Sequence, residues 1–477
     1  MKNIIILLLG VYASLSGLSW SHWQGNAQHT GNLQLPSISS PIQQWAKTGG
    51  SFTTIDGVII YNMPSHASNM HTYDYFGNST WNQALPDKEY YSLISDDRYA
   101  FIDYSEWTRY GIKYFRYYFR VFDKQHNELW SCQASGDFMN NAGRTYQDAI
   151  KGNNTWILGT NYWYEGYYFY GTLYVFNSSG TEQFHLDVNP SFSRNSLAID
   201  RNNSVIYIAG EKGYYMADEY PAAVVAVNMN GTQKWKRDFS SPTASFKHSP
   251  IIEDLTSNLH LYATFDTTLY CINGSDGSIS WQKEGATNAP AVDMNNNGLV
   301  FSPSRTKLSQ YSSSGNLNCS YTFPSEIKSP PIIDTTGNVY IACNQRLYSL
   351  TNNLSLRWQL DVSNINSEVN LLLGDYMYIF VNNKTAGTLT CISDRTSVKR
   401  FLVDIPEKES LFSCYPNPFR ERLFVKSESR IEIYTIEGRL MMIKEKGNQI
   451  IDTKDFAKGI YLIKSGKKTR TVVKIED

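Results

Sequence analysis

Between residues 50 and 400 the apolar positions fall in short runs, with polar residues interleaved singly and Asn, Asp, Gly and Ser clustered between runs. A period of two predicts β-strands, because successive side chains of a strand point to opposite faces. No unit repeats apolar residues at i, i+3 and i+4 over ten positions, so the pattern predicts strands and turns rather than helices. Two landmarks recur. One is a turn rich in Asp, Asn and Gly between two apolar strands, as in "SLAIDRNNSVIYIAG", "SPIIEDLTSNLHLYAT", "APAVDMNNNGLVFSP" and "SPPIIDTTGNVYIAC". The other is a strand, a Gly turn and a second strand with Trp four positions after the Gly, as at Gly277 and Trp281 in "CINGSDGSISW".

Counting copies with substitutions, the second landmark occurs eight times, 38 to 54 residues apart, ending at Trp81, Trp130, Phe184, Trp235, Trp281, Cys319, Trp358 and Phe401. Five have Gly four positions before the end, and Asn127, Leu354 and Thr396 or Ser397 stand in elsewhere. Each unit reads as four short strands. One such sheet cannot bury both faces, whereas radial stacking covers each sheet with its neighbours. Four strands per repeat of roughly 40 to 50 residues predict an all-β chain folded as an eight-bladed β-propeller, with seven blades as the alternative. Trp45 in "PIQQW" has no blade before it, so either its strand or one ending at Phe401 closes the ring.

"CINGSDGSISW" resembles the tryptophan docking motif of the pyrroloquinoline-quinone-binding repeat propellers. Cys271 stands at the family's Ala, Asn273 at its Asp, Asp276 and Gly277 at its Thr-Gly, and Trp281 at its Trp. "WQGNAQHTG", Trp23 to Gly31, is similar to the family's opening segment, and the resemblance covers residues 22–405. It implies that Trp81, Trp130, Phe184, Trp235, Trp281 and Trp358 are structural docking residues, largely buried between blades. The family's quinone-dependent dehydrogenases use two adjacent cysteines, an Asp base and a calcium site. No two cysteines are adjacent here, so neither a cofactor nor that chemistry is expected.

Composition narrows the function further. With 34 Tyr, 11 Trp and 18 % charged residues, the chain suits a β-rich protein, and a net charge of −1 provides no basic surface for nucleic acid. Residues 1–21, with Lys2 before an apolar run from Ile4 to Val11 and small residues at Ser19 and Ser21, read as a signal peptide. The six cysteines (132, 271, 319, 343, 391, 414) are far apart and read as small core residues. "DMNNNG", Asp293 to Gly298, matches half a calcium loop, but Ser304 stands where the bidentate Glu belongs, so it reads as a structural turn. His66 and His71 lack zinc-site spacing, and no GxSxG or phosphate-binding glycine loop occurs. No catalytic, cofactor-binding or metal-binding residue is therefore expected.

The most unusual tracts are "YSEWTRYGIKYFRYYFRVFD" (104–123) and "NYWYEGYYFYGTLYVF" (161–176), placed at the hairpins between second and third strands. Those hairpins are long in the first four repeats and short in the last four. Long loops on a rigid scaffold concentrate function, and aromatic rings suit sugar or protein surfaces. The expected ligand or partner contacts are Trp107, Tyr110, Tyr162, Trp163, Tyr164 and Tyr214. The plain alternative is strand-forming residues that stiffen the hairpins.

After a linker that also begins the next domain (406–419), the composition turns basic. Residues 420–477 hold 14 Lys and Arg against 9 Asp and Glu, and their short alternating strands predict a small β-sandwich. This segment is similar to the C-terminal sorting domain of type IX secretion substrates, through "YPNPF", "IEIYTIEGRLM", "DFAKGIYLIK" and "VVKIED". The sorting residues carried over are Tyr415, Pro416, Asn417, Pro418, Gly438, Gly459 and Tyr461. The resemblance implies recognition by the type IX translocon, then removal of the domain and release or attachment at the outer-membrane surface. The expected function is a secreted or cell-surface binding module for a glycan or surface protein. A polysaccharide-degrading lyase or glycoside hydrolase on the same scaffold, and a scaffold of an outer-membrane assembly, are the alternatives.

Overall fold

The computed structural model describes residues 19–20, 38–48, 52–56, 59–63, 69–74, 77–84, 93–95, 98–109, 112–123, 127–133, 138–139, 142–151, 154–164, 167–188 and 191–200. It also describes 202, 204–211, 213–215, 218–240, 251–253, 259–293, 298–374, 378–383, 385–394, 413–415, 422–427, 429–435, 439–466 and 468–474. The chain divides into two compact units, Met1–Val398 and Lys399–Asp477.

Among the described residues of the first unit there is no helix, and antiparallel sheets follow one another along the chain. The fifth, sixth and seventh are the most regular. Their strands are Ile251–Glu253, His260–Phe265, Thr268–Asn273 and Ile279–Glu284; then Ala291–Asp293, Leu299–Pro303, Lys307–Tyr311 and Leu317–Thr322; then Ile332–Ile333, Val339–Cys343, Arg346–Leu350 and Leu356–Asp361. Across the described sheets the innermost strands of the four-stranded ladders touch in succession, and that of the eighth, Asn370–Gly374, touches Phe52–Asp56 of the first, which also pairs with Ser19–Trp20. The eighth sheet continues with Tyr378–Asn383 and Thr388–Asp394 and takes its fourth strand, Pro41–Thr48, from the other end of the chain. The strand of Trp45 thus lies beside Thr388–Asp394, and Phe401 falls outside the described residues.

Burial explains the strand pattern. Val205–Glu211 and Ala222–Asn228, the middle strands of the fourth sheet, are covered on both faces and read as near-continuous apolar runs. Outer strands such as Ile279–Glu284 alternate exposed and half-buried positions. The apolar clusters bridge successive sheets: Tyr207, Val224 and Trp235 of the fourth pack with Leu261, Phe265 and Ile272 of the fifth. The expectation of small, core-filling cysteines holds at Cys271, Cys343 and Cys391, whereas Cys132, Cys319 and Cys414 are half-buried; none of the six is in a disulfide.

A joint recurs between sheets. At each described docking residue the outer strand shifts register by one residue, as between Cys271 and Ile272 opposite Trp281. The Trp ring then covers a glycine turn of the following sheet. A Cβ on Gly180, Gly277 or Gly315 would lie 2.5, 2.7 or 2.8 Å from Trp130, Trp235 or Trp281, and each glycine has positive φ. Only glycine satisfies both demands. The indole N–H of each ring donates to the same turn: Trp130 to Ser178 O, Trp235 to Gly274 O and Trp281 to Ser313 O. Trp235 is buried, while Trp130, Trp281, Trp358 and Phe184 are half-buried, less covered than expected, because a turn shields one face and the other edge meets solvent. The side chain of Trp81 is outside the described set.

The second unit pairs Ser413–Tyr415, Arg422–Ser427 and Gly447–Asp452 in one sheet, and Leu440–Lys444, Ile431–Thr435, Gly459–Ser465 and Lys468–Lys474 in another. Leu423, Val425 and Ile451 of the first share a core with Ile431, Ile433, Ile463 and Val472 of the second.

Candidate binding site

The second and third sheets depart from the regular ones at their middle strands. Arg98–Arg109 and Ile112–Asp123 have 12 residues each, and Thr155–Tyr164 and Tyr167–Asn177 have 10 and 11. The corresponding strands of the fifth to seventh sheets have five or six. Six or seven additional residues at about 3.3 Å each carry the second-sheet hairpin roughly 20 Å beyond a regular one.

The backbone register joins these hairpins into a larger structure. Phe138–Met139 pairs with Phe115 and Tyr114. Ala142–Lys151 runs the whole length of its neighbour, with Ala142, Gly143 and Arg144 opposite Tyr164, Trp163 and Tyr162. A two-strand excursion of the fourth sheet, Gly213–Tyr215 with Asp218–Tyr220, lies against Tyr167–Asn177. Additional pairing thus reaches along Ile112–Asp123 and Thr155–Tyr164, which one-dimensional alternation does not reveal.

The base of the third hairpin is fixed. Asn161 Nδ2 donates to Phe192 O and Phe192 N donates to Asn161 Oδ1, both at 2.6 Å, tying it to the fourth sheet. Thr172 Oγ1 donates to Asp187 Oδ1 at 2.5 Å on the other side. A Cβ on Gly159 would lie 2.7 Å from the Phe192 ring, so the backbones approach closely there. Buried polar groups paired in this way hold one geometry.

Of the expected contacts, Trp107 pairs with Tyr114, Tyr162 with Tyr170, Trp163 with Tyr168, Tyr164 with Tyr167 and Tyr214 with Glu219. They thus belong to two neighbouring hairpins and the adjoining excursion. Tyr110 lies outside the described residues, as do the side chains of the other five. Glu211, half-buried where the excursion departs, has its carboxyl pKa raised by burial. Among the described residues no group of three or more His, Cys, Asp or Glu side chains is placed to hold a metal ion. The described first strands Ile332–Ile333 and Asn370–Gly374 present apolar residues and one amide. The assembled geometry offers extended, anchored backbone with aromatic sequence.

Residues 413–475 match the family described as secretion system C-terminal sorting domain, and residues 171–400 match the family described as outer membrane protein assembly factor BamB. No curated protein matches the chain significantly. Among solved structures, the chain is similar to the computationally designed Ika8 protein at 13 % identity, over 75 % of this chain and 100 % of that one, with a TM-score of 0.49. It is similar to BamB from Moraxella catarrhalis at 10 % identity, over 75 % and 99 %, with a TM-score of 0.46. It is also similar to PorZ of Porphyromonas gingivalis, a surface component of its type IX secretion system, at 13 % identity over 89 % and 69 %, with a TM-score of 0.37. By its two family matches, the chain joins a BamB-like segment of the pyrroloquinoline-quinone repeat type to a secretion-system C-terminal sorting domain.

Proposed function

We propose that the mature protein is an eight-bladed propeller that binds a sugar or protein surface through the long hairpins of its second to fourth sheets. Residues 1–21 act as its signal peptide, and 420–477 form a sandwich recognised by the type IX translocon. The observation that carries the binding role is the length asymmetry: strands of 10 to 12 residues, braced by additional pairing, occur on one part of the ring while the fifth to seventh sheets stay at five or six. Such projections lose conformational entropy on ordering, and a bare scaffold would gain little from them. Trp107 and Trp163 are the assigned principal contacts, with Tyr110, Tyr162, Tyr164 and Tyr214 around them. Replacing Trp107 and Trp163 together by Ala is expected to abolish capture on a glycan array or from outer-membrane extracts, with the melting temperature nearly unchanged. Retained capture with lost stability refutes the assignment. A second reading, a scaffold of an outer-membrane assembly, is favoured by the match of 171–400 to the BamB family. Co-purification of membrane-embedded partners that survives the double substitution supports it.

A further inference from the structure

In every sheet of the first unit but the eighth, a covalent turn joins the third strand to the fourth. Two of these turns share a construction. In the third sheet Ser179 donates its N–H and hydroxyl to Asn177 Oδ1, at 3.0 and 2.8 Å. In the fifth, Ser275 does the same to Asn273 Oδ1, at 2.9 and 2.8 Å. The residue between the two supplies the carbonyl that receives the docking indole, Ser178 and Gly274 respectively.

The eighth sheet rebuilds this turn from both ends of the unit. Its third strand stops at Asp394, and Ser39 donates its N–H and hydroxyl to Asp394 Oδ2 at 2.8 and 2.7 Å, joined by Ser40 N at 3.1 Å. Ile38, 1 % exposed, takes the middle place: its carbonyl accepts Trp358 Nε1 at 2.9 Å and an Arg357 guanidinium nitrogen at 3.0 Å. Its N–H donates to the Tyr340 hydroxyl, which in turn donates to Asp334 Oδ2. Beyond it, Pro41–Thr48 pairs with the whole of Thr388–Asp394, and Trp45 stands opposite Cys391 as Trp281 stands opposite Cys271. Gln44 Nε2 donates to Ser393 Oγ at 2.7 Å, and the Trp45 ring lies 6.0 Å from Phe380 and 6.3 Å from Tyr73 of the first sheet. A charged acceptor gives such hydrogen bonds more strength than a neutral amide does.

We propose that the outer edge of the eighth sheet is a strand-receiving site, and that its present occupant, residues 38–48, is exchangeable. The ligand class is an extended peptide with a buried aliphatic residue, two serines, a proline and a Trp four positions after it. The ladder along Thr388–Asp394 supplies affinity, while the Asp394 carboxylate and the Trp45 seat supply selectivity, as in strand addition generally. A second copy's 38–48 segment satisfies the same chemistry.

The test uses the full chain with a sequence-specific protease site inserted between Gly49 and Gly50, cut after folding. The severed segment is expected to stay with the ring through gel filtration and to be replaced by a fluorescein-labelled peptide of residues 38–48. Asp394→Asn should retain the peptide, since Asn serves at positions 177 and 273, and Asp394→Ala should weaken it at least about tenfold. If Asp394→Ala does not fold, the peptides carry the test: those with Ser39→Ala or Trp45→Ala must compete at least several-fold less well. The proposal fails if the severed segment elutes free, if it never exchanges, or if these substitutions leave peptide binding unchanged.

Discussion

One joint that departs from the Trp-over-glycine pattern has a chemistry that mutation can invert. Between the sixth and seventh sheets the docking residue is Cys319, and the turn glycine is replaced by Leu354 at φ 60°. Leu354 is 4 % exposed and belongs to the apolar cluster against which Cys319 packs, so the leucine occupies space that an indole fills elsewhere. Gln310, opposite Cys319, donates Nε2 to Asn352 O, the carbonyl at the place of Ser313 O beneath Trp281. Three residues thus replace a Trp and a Gly: one leaves room, one fills it, one makes the hydrogen bond. A left-handed leucine costs about 1 to 2 kcal/mol, while burying its side chain contributes about 1.5 to 3, so the exchange is near neutral or favourable. Leu354→Gly relieves the backbone but leaves a cavity, a net loss of about 1 to 4 kcal/mol. Cys319→Trp alone drives an indole into Leu354, where the Trp130, Trp235 and Trp281 joints leave under 3 Å even for a Cβ, and overpacking costs about 1 to 3 kcal/mol. The double variant restores the joint used elsewhere, and Asn352 O can accept the new N–H beside Gln310, as Ile38 O accepts two donors. Denaturant unfolding of the four proteins should give a favourable coupling of roughly 2 kcal/mol or more. A double variant that loses the sum of the single losses refutes the exchange.

Cys343 is fully buried, and burial pushes its thiol from 9.0 up to about 12. Below pH 9 the thiol is protonated in both states; above it the unfolded chain ionises first, so the stabilisation falls by about 1.4 kcal/mol per pH unit until the folded value is reached. The stability difference between wild type and Cys343→Ala, measured by urea unfolding, should narrow by about 1 kcal/mol from pH 9 to 10, and an unchanged difference contradicts the burial argument. Each described sheet draws its strands from one unit only, so deleting Arg420–Asp477 should leave the melting of the first unit unchanged while the protein accumulates in the periplasm. Unfolding on deletion, or normal export, contradicts it.

The repeat was legible because it is enforced at short range: a Trp four residues after a glycine records a turn that must pass under the indole of the preceding sheet. The closing strand was legible only as a choice between that of Trp45 and one ending at Phe401. "ISSP" beside "SD" carries no local signal, and Asp394 finds Ser39 only once the intervening sheets have set the distance. Cys319 looked like a worn copy of the motif because its compensation lies on two other strands, at Gln310 and Leu354. The long aromatic hairpins were visible as composition, but the short strands that widen them, Phe138–Met139 and Gly213–Tyr215 with Asp218–Tyr220, have too few residues to show a period. In the sorting domain Gly447–Asp452 carries a weak strand signal for a related reason: Ile451 is buried while Ile450 is 61 % exposed, so adjacent isoleucines blur the alternation.

These cases share one cause. Where a constraint acts within a turn, the residues that satisfy it are neighbours in sequence and leave a pattern. Where it acts across a joint, any set of side chains that fills the space, satisfies the carbonyl and tolerates the backbone will serve. Trp with Gly is one such set and Cys319, Gln310 and Leu354 another; Trp358 with Ile38 and Asp394 is a third, in which the turn itself is noncovalent. Counting sheets in such rings therefore requires searching for the three physical roles rather than for tryptophan.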